Sequence, residues 1–374
     1  MNRRGLLAAI GAATASTLAG CGYAPGGGDI VDDAQVGPTG GMPWTTTSID
    51  TTADRIAYAT SGESAFDSSA STSLYIADRS GTQLERYTYG AASEAVVLDP
   101  SAGRAYLLAT STGQPDEEEA TGVATVDLTR EDRSHPYVRV ENIVSGESIP
   151  DGEPHSGRGV LAANGSGAYC LVEDGFAAVG PDDERWRHEV DGAGRVVADR
   201  QVVVATENGV RAFDDDGSER WQRDTDERPA VASAGGRTAV HADGELRVFD
   251  VDGNAEWQID LTPDDPQLRF EDDRLLVEWG SRLAVVDVGD GTVQWDESAG
   301  VSVPAVWDGD RAYSVRDCEV VATDEDGEWW RRQLELDGCA VVDGWVDGER
   351  VAFLFESGAI RWLRRTDEEP GLLW

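Results

Sequence analysis

The chain of 374 residues carries 71 Asp and Glu against 31 Lys and Arg, a formal net charge of −40 at pH 7. All 31 bases are arginine, and so acidic a surface excludes nucleic acid as a partner, because phosphate binding needs a basic footprint. The carboxylates are spread over most turns and exposed strand positions, with one run at Asp116 to Glu119, which disfavours a dedicated surface for one basic partner. In molar salt, where charges are screened beyond about 3 Å, the self-repulsion of such a surface is muted. The composition therefore predicts adaptation to high salt.

The first 20 residues have the pattern of an export signal. A pair of arginines precedes an apolar run from Gly5 to Ala19, which is shorter than the roughly 20 residues that cross a bilayer. An arginine pair, an apolar core and small residues before a cysteine are typical of a twin-arginine signal followed by a lipidation site. The residues that form this pattern are Arg3, Arg4, Leu18, Ala19, Gly20 and Cys21. We predict that residues 1–20 are removed and that Cys21 carries a lipid; a short N-terminal helix with a chance cysteine is the alternative.

Residues 21–44 follow the signal and are rich in Gly and Pro without strand periodicity. This composition predicts a flexible tether with a root-mean-square reach of roughly 25 Å. The expected order is a signal over 1–20, a lipidated tether over 21–44 and a folded body over 45–374. Such an anchor would hold the body at the outer face of the cell membrane, and no other segment is predicted to span a membrane.

One phrase recurs beyond residue 170. An apolar strand ends at Asp, a Gly follows, and a Trp comes four residues after the Gly, as in Val210 to Trp221 and Leu246 to Trp257. Five copies close at Trp186, Trp221, Trp257, Trp295 and Trp330. Successive tryptophans are 35, 36, 38 and 35 residues apart. A period of this size with strand content alone is typical of a β-propeller.

Weaker copies extend the series to both ends of the chain. They occur at Leu74 to Asp78, at Val123 to Asp127 and in a last unit expected to close at Trp374. The first three units are longer because of polar insertions such as Gly62 to Thr72 and Ser111 to Thr121. The sequence thus predicts an all-β, eight-bladed propeller of four-stranded antiparallel blades. Seven blades is the alternative, since the terminal copies are the weakest, and the mode of ring closure stays open.

The phrase resembles the repeat of quinoprotein-type propellers, strongly over residues 175–335 and weakly before residue 140. The resemblance implies that the five tryptophans dock between adjacent blades as structural staples. Many members of the wider family bind no quinone and act as interaction scaffolds, including the propeller lipoprotein of outer-membrane assembly. With its acidic composition and predicted anchor, the chain looks like a lipoprotein member of this family from a halophilic archaeon.

Chemistry of the quinone dehydrogenases in this family is not matched. They use two adjacent cysteines, a calcium site and a catalytic Asp, and this chain has no adjacent cysteine pair and no Asp in a matching context. The Asp-x-Asp-Gly turns at Asp214 and Asp250 lack the further ligands of a calcium loop, so we interpret them as hairpin turns. The four histidines lack the spacing of a zinc site. We therefore assign no catalytic residue, cofactor or metal.

Cysteine placement raises one hypothesis. Cys318 is expected to begin the third strand of the seventh unit and Cys339 the first strand of the eighth, so both lie at one face of the disc. A disulfide between them would stabilise the chain by roughly 3 kcal/mol. Two free buried thiols carry equal weight as the alternative. Cys170 is expected in a strand as a small apolar residue.

From these features we predict a monomeric, non-enzymatic protein-interaction scaffold, lipid-anchored through Cys21 at the extracellular face of the membrane. Its expected partner is a protein or another envelope component, contacted by the long loops of the first three units. The alternative is a quinone-dependent surface dehydrogenase with an active site at the central channel. The sequence does not name the partner.

Overall fold

The computed structural model describes residues 22–23, 28–38, 46–63, 70–89, 92–99, 101, 103–111, 120–129, 137–140, 143, 160–280, 282–297, 304–324, 326–336, 338–365 and 372–373. All regular elements in these residues are β-strands. They form eight four-stranded antiparallel sheets and one two-stranded pair. The molecule is therefore an eight-bladed β-propeller, which settles the choice between seven and eight blades.

The first four blades follow chain order. Blades 1 and 2 are β3 (Thr46–Thr51), β4 (Arg55–Glu63), β5 (Ala70–Asp78), β6 (Gln83–Tyr89), then β7 (Ala92–Asp99), β8 (Arg104–Ser111), β9 (Ala120–Asp127) and β10 (Tyr137–Arg139). Blades 3 and 4 are β11 (Leu161–Asn164), β12 (Gly167–Val172), β13 (Gly175–Val179), β14 (Glu184–Glu189), then β15 (Arg195–Ala198), β16 (Val202–Thr206), β17 (Gly209–Phe213) and β18 (Glu219–Asp224).

The remaining blades close the ring. Blades 5 and 6 are β19 (Ala230–Ala234), β20 (Arg237–Ala242), β21 (Glu245–Phe249), β22 (Ala255–Asp260), then β23 (Gln267–Glu271), β24 (Arg274–Trp279), β25 (Arg282–Asp287) and β26 (Val293–Glu297). Blade 7 is β27 (Val306–Trp307), β28 (Ala312–Arg316), β29 (Glu319–Asp324) and β30 (Gly327–Gln333). Blade 8 is β31 (Val341–Asp347), β32 (Arg350–Phe355), β33 (Ala359–Arg364) and β2 (Ile30–Gln35), and β1 (Gly22–Tyr23) pairs with β34 (Leu372–Leu373).

Burial along each blade explains the apolar pattern. The middle strands are covered on both faces by neighbouring blades, so β12 and β16 are buried at every residue. The outer strands expose most of their positions, as β18 does except at Trp221. Runs of Val and Ala on middle strands and mixed charged residues on outer strands are what such stacking requires.

The tryptophans pack between blades. A Cβ at Gly253 of blade 5 would lie 2.5 Å from Trp221 of blade 4, so this ring rests on the turn glycine of the next blade. The same contact joins Trp186 to Gly217 and Trp257 to Gly291. These glycines have φ near +80°, a conformation in which glycine avoids the strain of other residues. Trp295 instead packs against Trp307, with 5.4 Å between ring centroids, and Trp330 takes part in ring closure.

The ring, whose mode of closure the sequence left open, is closed by a strand from the N-terminal part of the chain. The outer strand of blade 8 is not the last segment of the chain but β2, which pairs antiparallel with β33 from Ile30 to Gln35. The predicted tether over 21–44 is therefore interrupted by a blade strand, and the expected closure at Trp374 is replaced; Trp374 itself lies outside the described residues. Gly28 precedes β2 as Gly217 precedes β18, and a Cβ at Gly28 would lie 2.7 Å from the ring of Trp330. The N-terminal segment thus completes the eighth copy of the repeat.

The junction between blades 8 and 1 uses a rearranged tryptophan. Asp32 pairs with Trp362 on β33, whereas in blade 4 Ala212 of the third strand pairs with Trp221 of the outer strand. In blade 8 the tryptophan therefore stands on the third strand, whereas in blade 4 it stands on the outer strand. Trp362 is 3% exposed and contacts Trp345 edge to face, with 6.4 Å between centroids. This exchange fills the junction although β2 has no tryptophan.

Candidate interaction surface

The disc has two unlike faces, fixed by the strand directions. We name the turn face as the one that carries the connections from first to second and from third to fourth strands. These connections are two to five residues long, except for the nine residues 128–136 in blade 2. We name the loop face as the opposite one, where second strands join third strands and each blade joins the next. Its connections of seven residues or more are 36–45, 112–119, 140–160, 298–305 and 334–340, and residues 64–69 form a further connection of six.

The predicted contact loops belong to the loop face. The strands extend into the segments that the sequence predicted as insertions. The connections are therefore shorter than predicted and comprise residues 64–69 and 112–119. Both lie outside the described residues. Because β4 and β8 end on the loop face, these connections and residues 140–160 all leave the disc on the same side. Three connections of six residues or more thus lie together beside blades 1 to 3.

A recess opens on the loop face between blades 3 and 4. Its volume is about 390 Å³, and it lies between the connection after β14 and the second turn of blade 4. Its lining includes Glu189, Asp191, Asn208, Arg211 and Arg223. Arg223 donates a hydrogen bond of 2.5 Å to the carbonyl oxygen of Gly253. The lining of the recess therefore carries both signs of charge and is more polar than apolar.

A second recess of about 560 Å³ occupies the corresponding place between blades 7 and 8. It is lined by Glu335, Leu336 and Arg361, among others. Gln35 forms one wall, and its Nε2 donates a hydrogen bond of 2.6 Å to the carbonyl oxygen of Ser357. The N-terminal strand thus contributes directly to this part of the loop face.

The disulfide borders the second recess. Cys318 and Cys339 are joined, with 5.2 Å between their Cα atoms, as hypothesised from the sequence. Cys318 occupies the turn before β29 at φ +63° rather than the strand itself, and Cys339 lies in the connection that leads to β31. The bond therefore links blade 7 to blade 8 on the loop face. Cys170 is fully buried in β12, and burial raises the pKa of its thiol to about 12.

The turn face is held together by carboxylates that bridge neighbouring blades. Asp215 of blade 4 accepts hydrogen bonds of 3.0 Å from Asn164 Nδ2 and Tyr169 OH of blade 3. Asp308 of blade 7 lies 2.6 Å from Arg365 Nη2 of blade 8. Burial opposes ionisation of Asp308, but hydrogen bonds and this arginine outweigh it, so its pKa lies below the ordinary value. These carboxylates thus take part in contacts that join neighbouring blades.

The Asp-x-Asp-Gly turns are hairpin turns in the structure. Asp216 Oδ1 accepts the backbone NH of Ser218 at 2.9 Å, and Asp250 Oδ1 accepts that of Asn254 at 2.8 Å. These hydrogen bonds lower the pKa of both carboxyls. Within the described residues, no group of three or more His, Cys, Asp or Glu side chains is arranged to hold a metal ion.

Among the described residues, a charged cluster is centred on the inner strands of blades 6 and 8 and extends to Arg79 of blade 1. Arg269 Nη1 lies 3.6 Å from Glu271 Oε1, and Glu278 Oε1 accepts the backbone NH of Ala305 at 2.5 Å. Burial raises the pKa of Glu271, Arg269 opposes the shift, and the charge of Asp343 adds to it. Asp343 in turn accepts Arg79 Nη1 at 2.8 Å. Sequence reasoning missed this cluster because its members come from three blades and follow no short motif.

The aromatic residues on the described inner strands are engaged in packing. The aromatic residues of the described inner strands are Phe270, Trp307 and Trp345. Each packs into a cluster between blades: Phe270 beside the core of blades 5 and 6, Trp307 against Trp295, and Trp345 against Trp362 and beneath Arg79. None forms the flat, free floor that a quinone ring needs. The cysteines of the disulfide are 21 residues apart rather than adjacent.

The histidines in the described residues are structural. His188 stacks on Phe213 with 5.0 Å between ring centroids, and its Nε2 lies 2.7 Å from the carbonyl oxygen of Gly217. His241 Nε2 lies 2.9 Å from the carbonyl oxygen of Leu261. His135 and His155 lie outside the described residues, as do the export signal and Cys21. In the part of the chain that the structure describes, no helix has the length and hydropathy of a membrane span.

Comparison with known proteins agrees with this geometry. A family model described as outer membrane protein assembly factor BamB matches residues 175–298, the blades with the clearest repeat. Over these residues the chain is similar to that family. The eight-bladed propeller is also similar to the crystal structure of BamB from Moraxella catarrhalis, at 13% identity and a TM-score of 0.58, over 90% of this chain and 99% of that one. It is also similar to the computationally designed Ika8 protein, at 12% identity and a TM-score of 0.55, over 92% and 100% of the two chains.

At these identities the likeness shows the fold alone. None of the curated proteins matches the chain.

Proposed function

We propose that this PQQ-like propeller is a non-enzymatic scaffold, exported through the twin-arginine signal at Arg3 and Arg4 and anchored by a lipid on Cys21 at the extracellular face of a salt-adapted cell. It uses its loop face to hold a protein or envelope partner. The name of the matching family, an assembly factor of the outer membrane, supports an interaction role.

The observation that carries the proposal is the difference between the two faces. Long connections and both recesses of the described residues lie on the loop face, while the turn face consists almost entirely of short, internally bonded turns. Recognition surfaces of rigid scaffolds are usually built from such connections, because they change length and sequence without loss of the core. A channel whose aromatic residues are occupied in packing supports a scaffold over a quinone enzyme.

The test is site-specific photo-crosslinking in cells grown in their own salt. A crosslinker at Asn208, on the loop face of blade 4, is expected to give one discrete adduct. The matched crosslinker at Ser218, on the turn face of the same blade, is expected to give none of that mass. Adducts from Ser218 alone would contradict the assignment of the loop face.

A second measurement addresses the dehydrogenase alternative. The purified mature protein is titrated with pyrroloquinoline quinone and calcium in molar salt, and its absorbance is recorded for a co-purified quinone. Absence of binding and of a chromophore is the expected result. Saturable one-to-one binding would overturn the scaffold proposal and direct attention to the cluster around Arg269 and Glu271.

A further inference from the structure

We propose that the turn face of the disc rests on the lipid surface and that the loop face points away from the cell. This inference depends on the proposed lipidation of Cys21 but concerns a separate property, the orientation of the anchored disc. It assigns a second interaction surface, whose partner is the membrane.

The first argument is the point at which the chain enters the disc. Gly28 donates its backbone NH to the carbonyl oxygen of Arg364, 2.9 Å away, at the turn-face end of blade 8. β2 then runs to Gln35, which reaches Ser357 on the loop face. The segment before β2 must therefore leave from the turn face. Cys21 precedes Gly28 by seven residues, which span at most about 25 Å when fully extended.

The second argument is the two-stranded pair outside the blades. Gly22 pairs with Leu373 and Tyr23 with Leu372, and β34 follows β33, whose last residue also lies at the turn face. The lipidated cysteine would stand directly before Gly22. The pairing thus ties the residue that follows the proposed lipid attachment point to the segment that follows β33, which ends at this face.

The third argument is the placement of exposed apolar side chains. The large hydrophobic residues that the described part of the chain exposes are Ile30, Val31, Leu84 and Val293, between 38% and 50% exposed. Each is the first or second residue of an outer strand, and outer strands begin at the turn face. These side chains therefore lie along one rim of the disc. Single apolar residues on a surface are ordinary, but their restriction to the anchored rim is what contact with a lipid boundary would produce.

Shape and charge are consistent with this contact. Turns of two to five residues leave the turn face nearly flat except at residues 128–136, and a flat face can lie against a bilayer. Its many carboxylates would repel anionic headgroups at low ionic strength. In molar salt the screening length falls to about 3 Å, which permits close approach. Contact between the turn face and the membrane should therefore require salt, whereas the lipid anchor itself should not.

The experiment uses two thiol reporters in the full lipidated protein. Ser218→Cys places a thiol on the turn face and Asn208→Cys places one on the loop face of the same blade, and both positions are exposed. The buried Cys170 and the disulfide do not compete for a maleimide fluorophore. The labelled proteins are bound to vesicles that contain a headgroup-linked quencher, in molar salt.

We expect the fluorophore at Ser218→Cys to be quenched severalfold more strongly than the one at Asn208→Cys. A long Gly-Ser insertion between Tyr23 and Gly28 is expected to abolish this difference. Equal or reversed quenching in protein that floats with the vesicles would overturn the orientation. Protein that fails to float would instead refute the lipid anchor, so the two failures are distinguishable. Leu84→Asn is expected to reduce the quenching difference without release from the vesicles, and an unchanged difference would count against a role of the apolar rim.

Discussion

Substitution of Gly28 by Ala tests whether the N-terminal segment closes the ring. Gly28 has φ +88°, and a Cβ there would lie 2.7 Å from the ring of Trp330. The left-handed backbone costs an L-residue about 1–2 kcal/mol, and forcing a methyl group into a packed site adds about 1–3 kcal/mol. We expect Gly28→Ala to lower the free energy of unfolding by about 2–5 kcal/mol.

The matched control is Gly235→Ala. Gly235 also has positive φ, +62°, but an added Cβ would meet no atom within 4 Å. This variant should lose only the backbone contribution of about 1–2 kcal/mol. Unfolding is followed by tryptophan fluorescence in urea, in molar salt, for both variants.

A double-mutant cycle separates the contact from the backbone effect. In the Trp330→Leu background the ring is gone, so Gly28→Ala should cost no more than Gly235→Ala. Equal losses for the two glycine variants in the unaltered protein, or an undiminished loss in the Trp330→Leu background, would refute the packing of Gly28 on Trp330 and with it the reasoning about closure.

The remaining predictions concern stability. Joint replacement of Cys318 and Cys339 by Ser should cost about 3 kcal/mol by the loop-entropy estimate; three free thiols in the unreduced mature protein would exclude the bond. Glu271 has a raised pKa in the folded chain, so stability falls as pH rises through that value, and Glu271→Gln should gain stability at pH 7 and none near pH 4. Asp308 has a lowered pKa, so Asp308→Asn should lose stability at pH 7 and progressively less as pH falls, in urea titrations at each pH. Dilution from molar salt should lower the melting temperature by charge repulsion, and an unchanged melting temperature would contradict salt adaptation.

The repeat phrase allowed most of the fold to be predicted. Five tryptophans at a nearly constant interval indicate stacked units. Three of these rings, Trp186, Trp221 and Trp257, rest on the turn glycine of the next unit, and both partners are visible in the sequence. The weak copies at the ends were assigned by extension of the same interval. Extension of this interval was sufficient to predict the eight four-stranded blades that the structure contains.

The closing strand could not be predicted from its own residues. Ile30–Gln35 lacks the tryptophan found on the outer strands of blades 3 to 7, and the corresponding large side chain is Trp362, more than 300 residues away. A residue on one strand that compensates for a residue on another is recognisable only when the pairing is known. The charged cluster around Arg269 escaped prediction for the same reason, since Glu271 and Asp343 share no local pattern.

β2 also sets an order of events during biosynthesis. A ribosome makes Ile30–Gln35 before every blade, yet β33, its partner, emerges among the last segments of the chain. Until then the strand stays without its neighbour, and its two adjacent aspartates, Asp32 and Asp33, oppose premature association with other strand edges. The disc can close only after translation has passed residue 364. If the chain is exported after it has folded, the ring is already closed. It then does not have to close outside the cell, where chaperones are absent.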